Sequence, residues 1–267
     1  MKKALNAEQL DSYKQEGFFY PIRIFDEKKA LEHRHRLELI EKEFGPMHYR
    51  TKPYLLMTSA NEIARDCNLL DAVESIIGSD ILLWDSAYVI KEPKTKKFVS
   101  WHQDLTYWGL NSEDLVTVWV ALSPSTEKSG CMKMLPKSHV NGRKHQLETF
   151  TTDNILHKGQ ELKMNIDQEQ VVSVELKPGE ASLHHGWVAH ASDPNFSEDR
   201  RIGLSLQYIS TSVSAKYPEK ESATLVRGED LFKNFSSEPI CKFDFDQTIL
   251  EFQLKMQKLK HEVYDIE

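Results

Sequence analysis

Two short segments of the chain carry the residue types of a metal site. Trp101-His102-Gln103-Asp104 places an imidazole and a carboxylate two positions apart, so on a strand both side chains would point to one face. Three further histidines, His184, His185 and His190, follow much later in the chain. Two imidazoles and one carboxylate form the ligand set of non-haem iron(II) oxygenases, which leaves neighbouring coordination positions open. A His-x-Asp triplet alone also occurs by chance at solvated strand ends, so the prediction needs one of the distant histidines.

Arg201 adds a second chemical feature, eleven residues after His190. Its planar guanidinium can hold a carboxylate through two parallel hydrogen bonds, which a lysine cannot do. A histidine near the end of one strand and an arginine on the next strand are what a jelly-roll oxygenase requires, because the arginine grips the far carboxylate of 2-oxoglutarate. Arg200 competes for this role, and since adjacent strand residues face opposite sides, only one of the two can point inward.

The elements that must position these side chains are predicted to be short strands. The β-type stretches after Gly78 cover residues 81–84, 87–90, 116–122, 131–135, 172–176, 181–183 and 202–209, with proline and glycine between them. Many short strands without intervening helices indicate a sandwich or jelly roll. Residues 140–170 are polar and too long for a hairpin connection, so we expect a lid or binding loop there.

Helices are predicted on both sides of the strand region. Asn6 followed by Gln9 forms a capping box that opens a short helix through Tyr13. Other helical stretches cover residues 27–43, about 60–77 and about 246–263. We therefore predict a mainly β fold with flanking helices in one domain over residues 1–267. Its parts would be a helical segment to about residue 78, a jelly-roll core over about 79–212 and a helical tail from about 213.

Composition and charge argue against several other classes of protein. A net charge of −7 over 267 residues disfavours a nucleic-acid binder. The three cysteines, Cys67, Cys131 and Cys241, form no Cys-x-x-Cys pair and favour free thiols over zinc or disulfides. Neither a run of 18 apolar residues nor a signal peptide is visible. We expect a cytoplasmic enzyme with a small-molecule substrate and with no membrane or nucleic-acid partner.

The motifs, taken in order, resemble those of the phytanoyl-CoA dioxygenase family from near the N-terminus to about residue 213. They are His102-Gln103-Asp104, Trp119-Val120-Ala121-Leu122, Gly130-Cys131-Met132, Leu135-Pro136-Lys137-Ser138-His139, Pro178-Gly179-Glu180 and His190-Ala191-Ser192, followed by Arg201 after Pro194-Asn195. The family often has glycine where this chain has Ala191. The resemblance implies a cupin-like double-stranded β-helix, an Fe(2+) ion, 2-oxoglutarate as cosubstrate and O2.

The resemblance also assigns roles to individual residues near the metal. It makes His102, Asp104 and His190 the iron ligands, and leaves His184 and His185 to structural or substrate-contacting roles. Related halogenating enzymes carry alanine or glycine at the position of Asp104, where chloride then binds. The carboxylate in this chain therefore favours hydroxylation over chlorination.

For the cosubstrate, the resemblance implies a pocket around Arg201. Ser192 would hold the 2-oxoglutarate tail together with this arginine, and Gln103 and Trp119 would line the pocket. Lys52 would reach the same cosubstrate, although its segment aligns more loosely.

The expected reaction is hydroxylation of an aliphatic carbon of a small molecule, with release of succinate and CO2. Residues 101–109 resemble a bacterial small-molecule branch that includes phosphonate hydroxylases, which suggests an aminoalkylphosphonate substrate. The candidate cationic contacts for a phosphonate are Lys91, Arg143, His157 and Lys158. Two alternatives stay open: a metal-binding jelly-roll protein, and a cupin-like iron enzyme that does not use 2-oxoglutarate.

Overall fold

The computed structural model describes the backbone of residues 5–149, 151–156 and 160–264, and the side chains of these residues up to residue 259. The helices are α1 (Ala7–Glu16), α2 (Glu27–Phe44), α3 (Pro53–Leu56), α4 (Thr58–Ala64), α5 (Cys67–Ile77) and α6 (Gln247–Tyr264). The strands are β1 (Phe18–Arg23), β2 (Ile81–Lys91), β3 (Val99–His102), β4 (Leu115–Ala121), β5 (Met132–Met134), β6 (Gln146–Glu148), β7 (Gln160–Leu162), β8 (Val172–Val174), β9 (Glu180–His184), β10 (His190–Ser192), β11 (Arg201–Ser210), β12 (Ser222–Arg227) and β13 (Ser236–Ser237).

Two facing sheets form the centre of the molecule. The large sheet has the strand order β1-β9-β4-β11-β2-β12-β13, and the small sheet has the order β3-β10-β5-β8. Their neighbouring strands are antiparallel, except that β12 and β13 run parallel. Apolar side chains such as Phe18, Met134 and Val188 pack in one cluster between the sheets. This arrangement is the mainly β, double-stranded β-helix that the sequence predicts.

Helices cover the outer face of the large sheet and build the main hydrophobic core. Leu37, Leu56 and Val73 from the helices lie in one buried cluster with Tyr88 and Leu204 from the strands. Because β4 is buried along its whole length, its sequence is apolar and β-branched without alternation. The large sheet therefore has one face on the helices and the other toward the small sheet.

The predicted helical segments are confirmed with one correction. Asn6 and Gln9 form the capping box of α1. The segment predicted as one helix over residues 60–77 is two helices, α4 and α5, because the Asp66 side chain accepts hydrogen bonds from the backbone N–H groups of Asn68 and Leu69 and starts a new helix. None of the helices in the described ranges is long and apolar enough to cross a membrane.

The strand prediction differs from the structure at several places. The stretches 81–84 and 87–90 form one strand, β2, whose pairing with β11 skips Trp84 in a β-bulge. β12 was not predicted, because it lies in a polar stretch and obtains its strand conformation by pairing with β2. In the segment 140–170, β6 and β7 pair as a small separate sheet.

Candidate metal centre

Three side chains with metal-ligating atoms meet between the small sheet and the turn that follows β3. His102 ends β3 and His190 begins β10, and these neighbouring strands place the two residues directly opposite each other. Asp104 starts the 3-10 helix Asp104–Tyr107. One ligand atom from each residue lies within 4.8 Å of the others. This ligand set fits an iron(II) ion.

The sequence pattern predicted that strand alternation brings His102 and Asp104 together, but in the structure their convergence has another cause. β3 ends at His102, Gln103 is still extended, and the chain then turns into the 3-10 helix. The turn carries the Asp104 carboxylate back toward the histidines, where its Oδ1 lies 3.3 Å from Nε2 of His102 and 3.7 Å from Nε2 of His190. The His-x-Asp spacing therefore predicted correctly that the two side chains meet, but the cause is the turn after β3 and not strand alternation.

Both histidines are held with the same ring nitrogen toward the carboxylate. His102 Nδ1 lies 2.9 Å from the carbonyl oxygen of Ser100, and His190 Nδ1 lies 3.1 Å from that of Val188. A carbonyl oxygen only accepts, so Nδ1 carries the proton in each ring and the lone pair is on Nε2. Histidines that bind metals through Nε2 are commonly oriented in this way.

The electrostatics of His190 and Asp104 also suit a cation. Burial, followed by the nearby His102, lowers the pKa of His190 to about 3. Burial alone would raise the pKa of Asp104, but the surrounding imidazoles, His190 first, hold it well below its usual value. A neutral imidazole and an ionised carboxylate are the protonation states that metal binding needs.

His184, a competitor for the ligand role, lies on the other side of the carboxylate. It faces Thr117 across the β4–β9 pairing, and His184 Nε2 and Thr117 Oγ1 lie 3.4 and 3.3 Å from Asp104 Oδ2. Their contacts are with the oxygen that faces away from the other two histidines. His185 packs instead against His139, with ring centroids 5.3 Å apart. The ligand atoms that meet are therefore those of His102, Asp104 and His190, whereas His184 contacts only the other carboxylate oxygen of Asp104.

Arg201 is a buried cation with unused hydrogen-bond donors. It is 1% exposed, and burial lowers its pKa to about 10. Nη1 donates to the carbonyl oxygen of Gly130 at 2.9 Å, and the guanidinium lies over the Trp119 ring at 5.1 Å. Nε and Nη2 have no partner within the described part of the chain, although a buried donor normally has one. Arg200 faces outward and pairs with Glu41 at 2.7 Å.

A cavity of about 290 Å³ connects the three metal-ligating residues with Arg201. Ser192, Gln103 and Trp119 also line it. The Gln103 amide, however, donates to the carbonyl oxygens of Gly142 and Trp187 at 3.0 and 2.7 Å. Its side chain thus also anchors the segment between β5 and β6 and the turn between β9 and β10.

Lys52, which was predicted to reach the cosubstrate, lies outside this cavity. Its ammonium donates to the carbonyl oxygen of Ser222 at 2.6 Å and pairs with Glu238 at 2.5 Å. Its neighbour Thr51 lines the cavity, whereas Lys52 is not among the lining residues. The lysine contacts the C-terminal segment and not the pocket around Arg201.

The cationic residues expected to contact a phosphonate are not gathered in the cavity. Lys91 donates to Ser192 behind the cavity wall, and Arg143 lines a separate surface pocket. His157 and Lys158 lie outside the described residues. Among the described residues that line the cavity, Arg201 is the only lysine or arginine.

Several cavity-lining residues on β2 and β11 were not predicted from the sequence. Asp85 and Gln207 are opposite each other in the strand pairing, and both line the cavity, together with Trp84 at the bulge and Trp108. The signal available in the sequence was the polar residue inside an apolar strand, as Asp85 is in β2. A bulge next to it is a common feature of strands that border functional sites.

Comparisons with known proteins agree with this geometry. The profile of the family described as Phytanoyl-CoA dioxygenase (PhyH) matches residues 2–203. A protein of Stutzerimonas stutzeri named "Probable alpha-ketoglutarate-dependent hypophosphite dioxygenase" is 27% identical over 158 residues, 58% of this chain and 54% of that protein. "Phytanoyl-CoA dioxygenase 1" of Oryza sativa subsp. japonica is 32% identical over 126 residues, 47% of this chain and 44% of that protein.

Among solved structures, the chain is similar to the apo form of the non-heme monooxygenase ThoJ, with a TM-score of 0.85 and 28% identity, over 97% of this chain and 100% of that one. The chain spans about half the length of the two curated relatives above. The similarity to the solved structure, in contrast, extends over nearly the whole of both chains.

Proposed function

This chain belongs to the phytanoyl-CoA dioxygenase family, and on that premise we propose that it is an iron(II)- and 2-oxoglutarate-dependent dioxygenase that hydroxylates an aliphatic carbon of a small molecule. The observation that carries the proposal is the meeting of His102, Asp104 and His190 in one cavity with the buried Arg201. A metal site alone would suit many proteins. The unused guanidinium donors favour an enzyme that also binds a dicarboxylate over an iron enzyme that does not use 2-oxoglutarate.

His102, Asp104 and His190 would hold the iron, and Arg201 with Ser192 would hold the far carboxylate of 2-oxoglutarate. When bound, iron(II) with 2-oxoglutarate and O2 supplies the oxidation of a C–H bond to an alcohol, with release of succinate and CO2. The carbonyl groups of Ser100 and Val188 keep the two imidazoles oriented, and burial keeps His190 neutral. Because Asp104 occupies the carboxylate position, we propose hydroxylation and not chlorination.

The volume and the lining of the cavity indicate the kind of substrate that it can hold. At about 290 Å³ it is at the lower end of the range of ligand pockets, and it must hold the cosubstrate as well. The indole rings of Trp84 and Trp108, 5.5 Å apart, form an aromatic wall. These features support a small substrate whose reacting carbon lies inside the cavity.

An aminoalkylphosphonate is the specific substrate that the sequence suggested. A phosphonate needs several cationic or donor groups, and among the described lining residues Arg201 is the only lysine or arginine. The carboxylate of Asp85 in the same cavity is unfavourable for that group and favourable for an amine. Aminoalkylphosphonates therefore belong in a substrate panel beside amines that lack the phosphonate.

The test is succinate formation from 2-oxoglutarate by the iron-loaded protein, with and without each member of the panel. We expect stimulation by at least one small molecule, loss of turnover on chelation, and no turnover by Asp104→Ala. Asp11→Ala, which removes an exposed carboxylate on α1, serves as the matched control and should behave as the wild type. Equal turnover in a chelated preparation without 2-oxoglutarate would refute the proposal.

A further inference from the structure

Lys91 is a buried lysine that the proposed chemistry leaves without a role. It is the last residue of β2, it is 1% exposed, and it lies opposite Arg201 in the strand pairing. Two neighbouring cations in the interior are unfavourable unless something negative offsets them. Burial, followed by the charge of Arg201, lowers the pKa of Lys91 to about 6. An anion bound beside Arg201 would raise this pKa again and favour the ammonium form of Lys91.

The ammonium of Lys91 crosses from the large sheet to the small one. It donates to the Ser192 hydroxyl at 2.6 Å, to the Ser192 carbonyl oxygen at 3.1 Å, and to the carbonyl oxygen of Asp193. These three acceptors use all three N–H groups of an ammonium. Lys91 does not line the cavity, whereas Ser192 does, so Ser192 is the hydrogen-bonded link between Lys91 and a ligand bound there.

The contact with Lys91 determines how the Ser192 hydroxyl is used. A serine hydroxyl has one hydrogen to donate and can accept through its lone pairs. Because Oγ accepts from Lys91, its own hydrogen points elsewhere, and Ser192 lines the cavity together with Arg201. Within the described ranges, no acceptor for that hydrogen is found among the side-chain hydrogen bonds of Ser192.

We infer that Lys91 is a positioning residue of the cosubstrate site, which fixes the Ser192 hydroxyl as a hydrogen-bond donor toward a carboxylate held by Arg201. The inference rests on the proposed function, because it takes that carboxylate to be the far end of 2-oxoglutarate. It adds to the family pattern a residue whose charge acts through the serine. Arg201 would then supply two N–H donors and Ser192 an O–H donor to the same anion.

The experiment is a double-mutant cycle of Lys91→Met and Ser192→Ala, read by calorimetric binding to the Mn(II)-loaded protein under argon. The ligands are 2-oxoglutarate and 2-oxopentanoate, which has a methyl group in place of the far carboxylate. We expect each single variant to weaken 2-oxoglutarate binding roughly tenfold or more, since a hydrogen bond to a charged group is lost. The double variant should be within about twofold of the weaker single variant, because both changes remove one interaction.

Binding of 2-oxopentanoate should change less than about twofold in all variants. Lys133→Met is the matched control, because Lys133 contacts the Asp193 side chain at the same turn and does not line the cavity. If Lys91→Met does not fold, Lys91→Gln, which keeps a donor but removes the charge, takes its place in the cycle.

The inference would be overturned if the affinity losses of the two single variants multiplied in the double variant. It would also be overturned if the variants lost affinity equally for 2-oxoglutarate and 2-oxopentanoate. A wild-type protein that binds the two ligands equally would overturn the proposed function and the inference together. Discrimination between the two ligands that stays at the wild-type level in Lys91→Met, or in Lys91→Gln where it replaces that variant, would overturn the inference alone.

Discussion

Each metal-ligating histidine is oriented by the backbone close to it. In both cases Nδ1 contacts the carbonyl oxygen of the residue two positions earlier, Ser100 for His102 and Val188 for His190. The orientation therefore depends on backbone carbonyl groups and not on another side chain, which could change its rotamer. The carboxylate differs, because Asp104 Oδ2 is contacted by side chains of β4 and β9 in the large sheet.

At the scale of residues, the adjacent Arg200 and Arg201 offer a direct test of the proposed cosubstrate site. We expect Arg201→Ala to raise the KM for 2-oxoglutarate by at least about a hundredfold, since a buried charge-assisted pair is lost. Arg200→Ala should leave that KM within about twofold, because Arg200 pairs with Glu41 and Glu92 outside the cavity. Steady-state succinate formation measures both variants. A larger effect at Arg200 than at Arg201 would contradict the assignment of the cosubstrate site.

At the scale of elements, β4 and β11 shape the part of the cavity that Trp119 and Arg201 line. Gly203 lies opposite Ala121 in their pairing, and a Cβ atom at Gly203 would approach the Trp119 ring to 1.9 Å. The ring in turn stacks on Arg201. The glycine thus makes room for the aromatic surface on which the guanidinium rests.

We expect Gly203→Ala to cost about 1–3 kcal/mol of unfolding free energy, since a side chain is forced into a packed core. It should also weaken 2-oxoglutarate binding, because Trp119 must move. Denaturant unfolding and calorimetry measure the two effects. Ser205→Ala, two residues further on the same strand face, should change stability by less than about 1 kcal/mol. If Gly203→Ala left both properties unchanged, Trp119 would not depend on this space.

The helical layer contains a buried histidine, His33 of α2, whose Nδ1 lies 2.8 Å from Ser59 Oγ of α4. Burial first, and then the charges of Lys29 and Arg36, lower its pKa to about 4 from an ordinary 6.5. The folded state therefore binds the proton less well than the unfolded state. The contribution of His33 to stability is complete above pH 6.5 and is lost as the pH falls toward 4.

We expect His33→Gln, which retains a hydrogen-bonding amide, to lose less stability than the wild type between pH 6.5 and 4. The difference should be at most about 3 kcal/mol, at about 1.4 kcal/mol per pKa unit. Urea unfolding at several pH values measures it, and His35→Gln on the exposed face of α2 is the control. Identical pH slopes for His33→Gln and the wild type would show that His33 is hydrated in the folded protein.

For the whole molecule, the buried pair of Lys52 and Glu238 joins the N-terminal helical part to the C-terminal segment. Glu238 also accepts from Tyr54, Ser222 and Thr224 at 2.6, 2.7 and 2.6 Å. Removing one partner would leave the other charge buried without compensation, whereas removing both would not.

Lys52→Met is therefore expected to destabilise the fold by about 3–5 kcal/mol. The KM for 2-oxoglutarate should stay within about twofold of the wild-type value, because Lys52 does not line the cavity. Adding Glu238→Leu should restore much of the stability. Unfolding curves and succinate kinetics separate these effects, and a large rise in KM at unchanged stability would support a direct contact with the cosubstrate.

By itself, the sequence determined the chemistry that is available and the class of fold. The capping box of α1 and the apolar run of β4 depend on neighbouring residues, so they can be predicted from local patterns. The order of the motifs from His102 to Arg201 indicated the family in the same way.

Only the tertiary structure decided which residues meet. Whether His184 or His190 joins His102 depends on which strands pair, and whether Lys52 or Lys91 lies near Arg201 depends on how distant segments fold over the sheet. Strand register is set by contacts between segments far apart in the chain, and a shift of one residue turns every side chain to the opposite face. The identities of the site residues were therefore local information, and their convergence was a property of the complete fold.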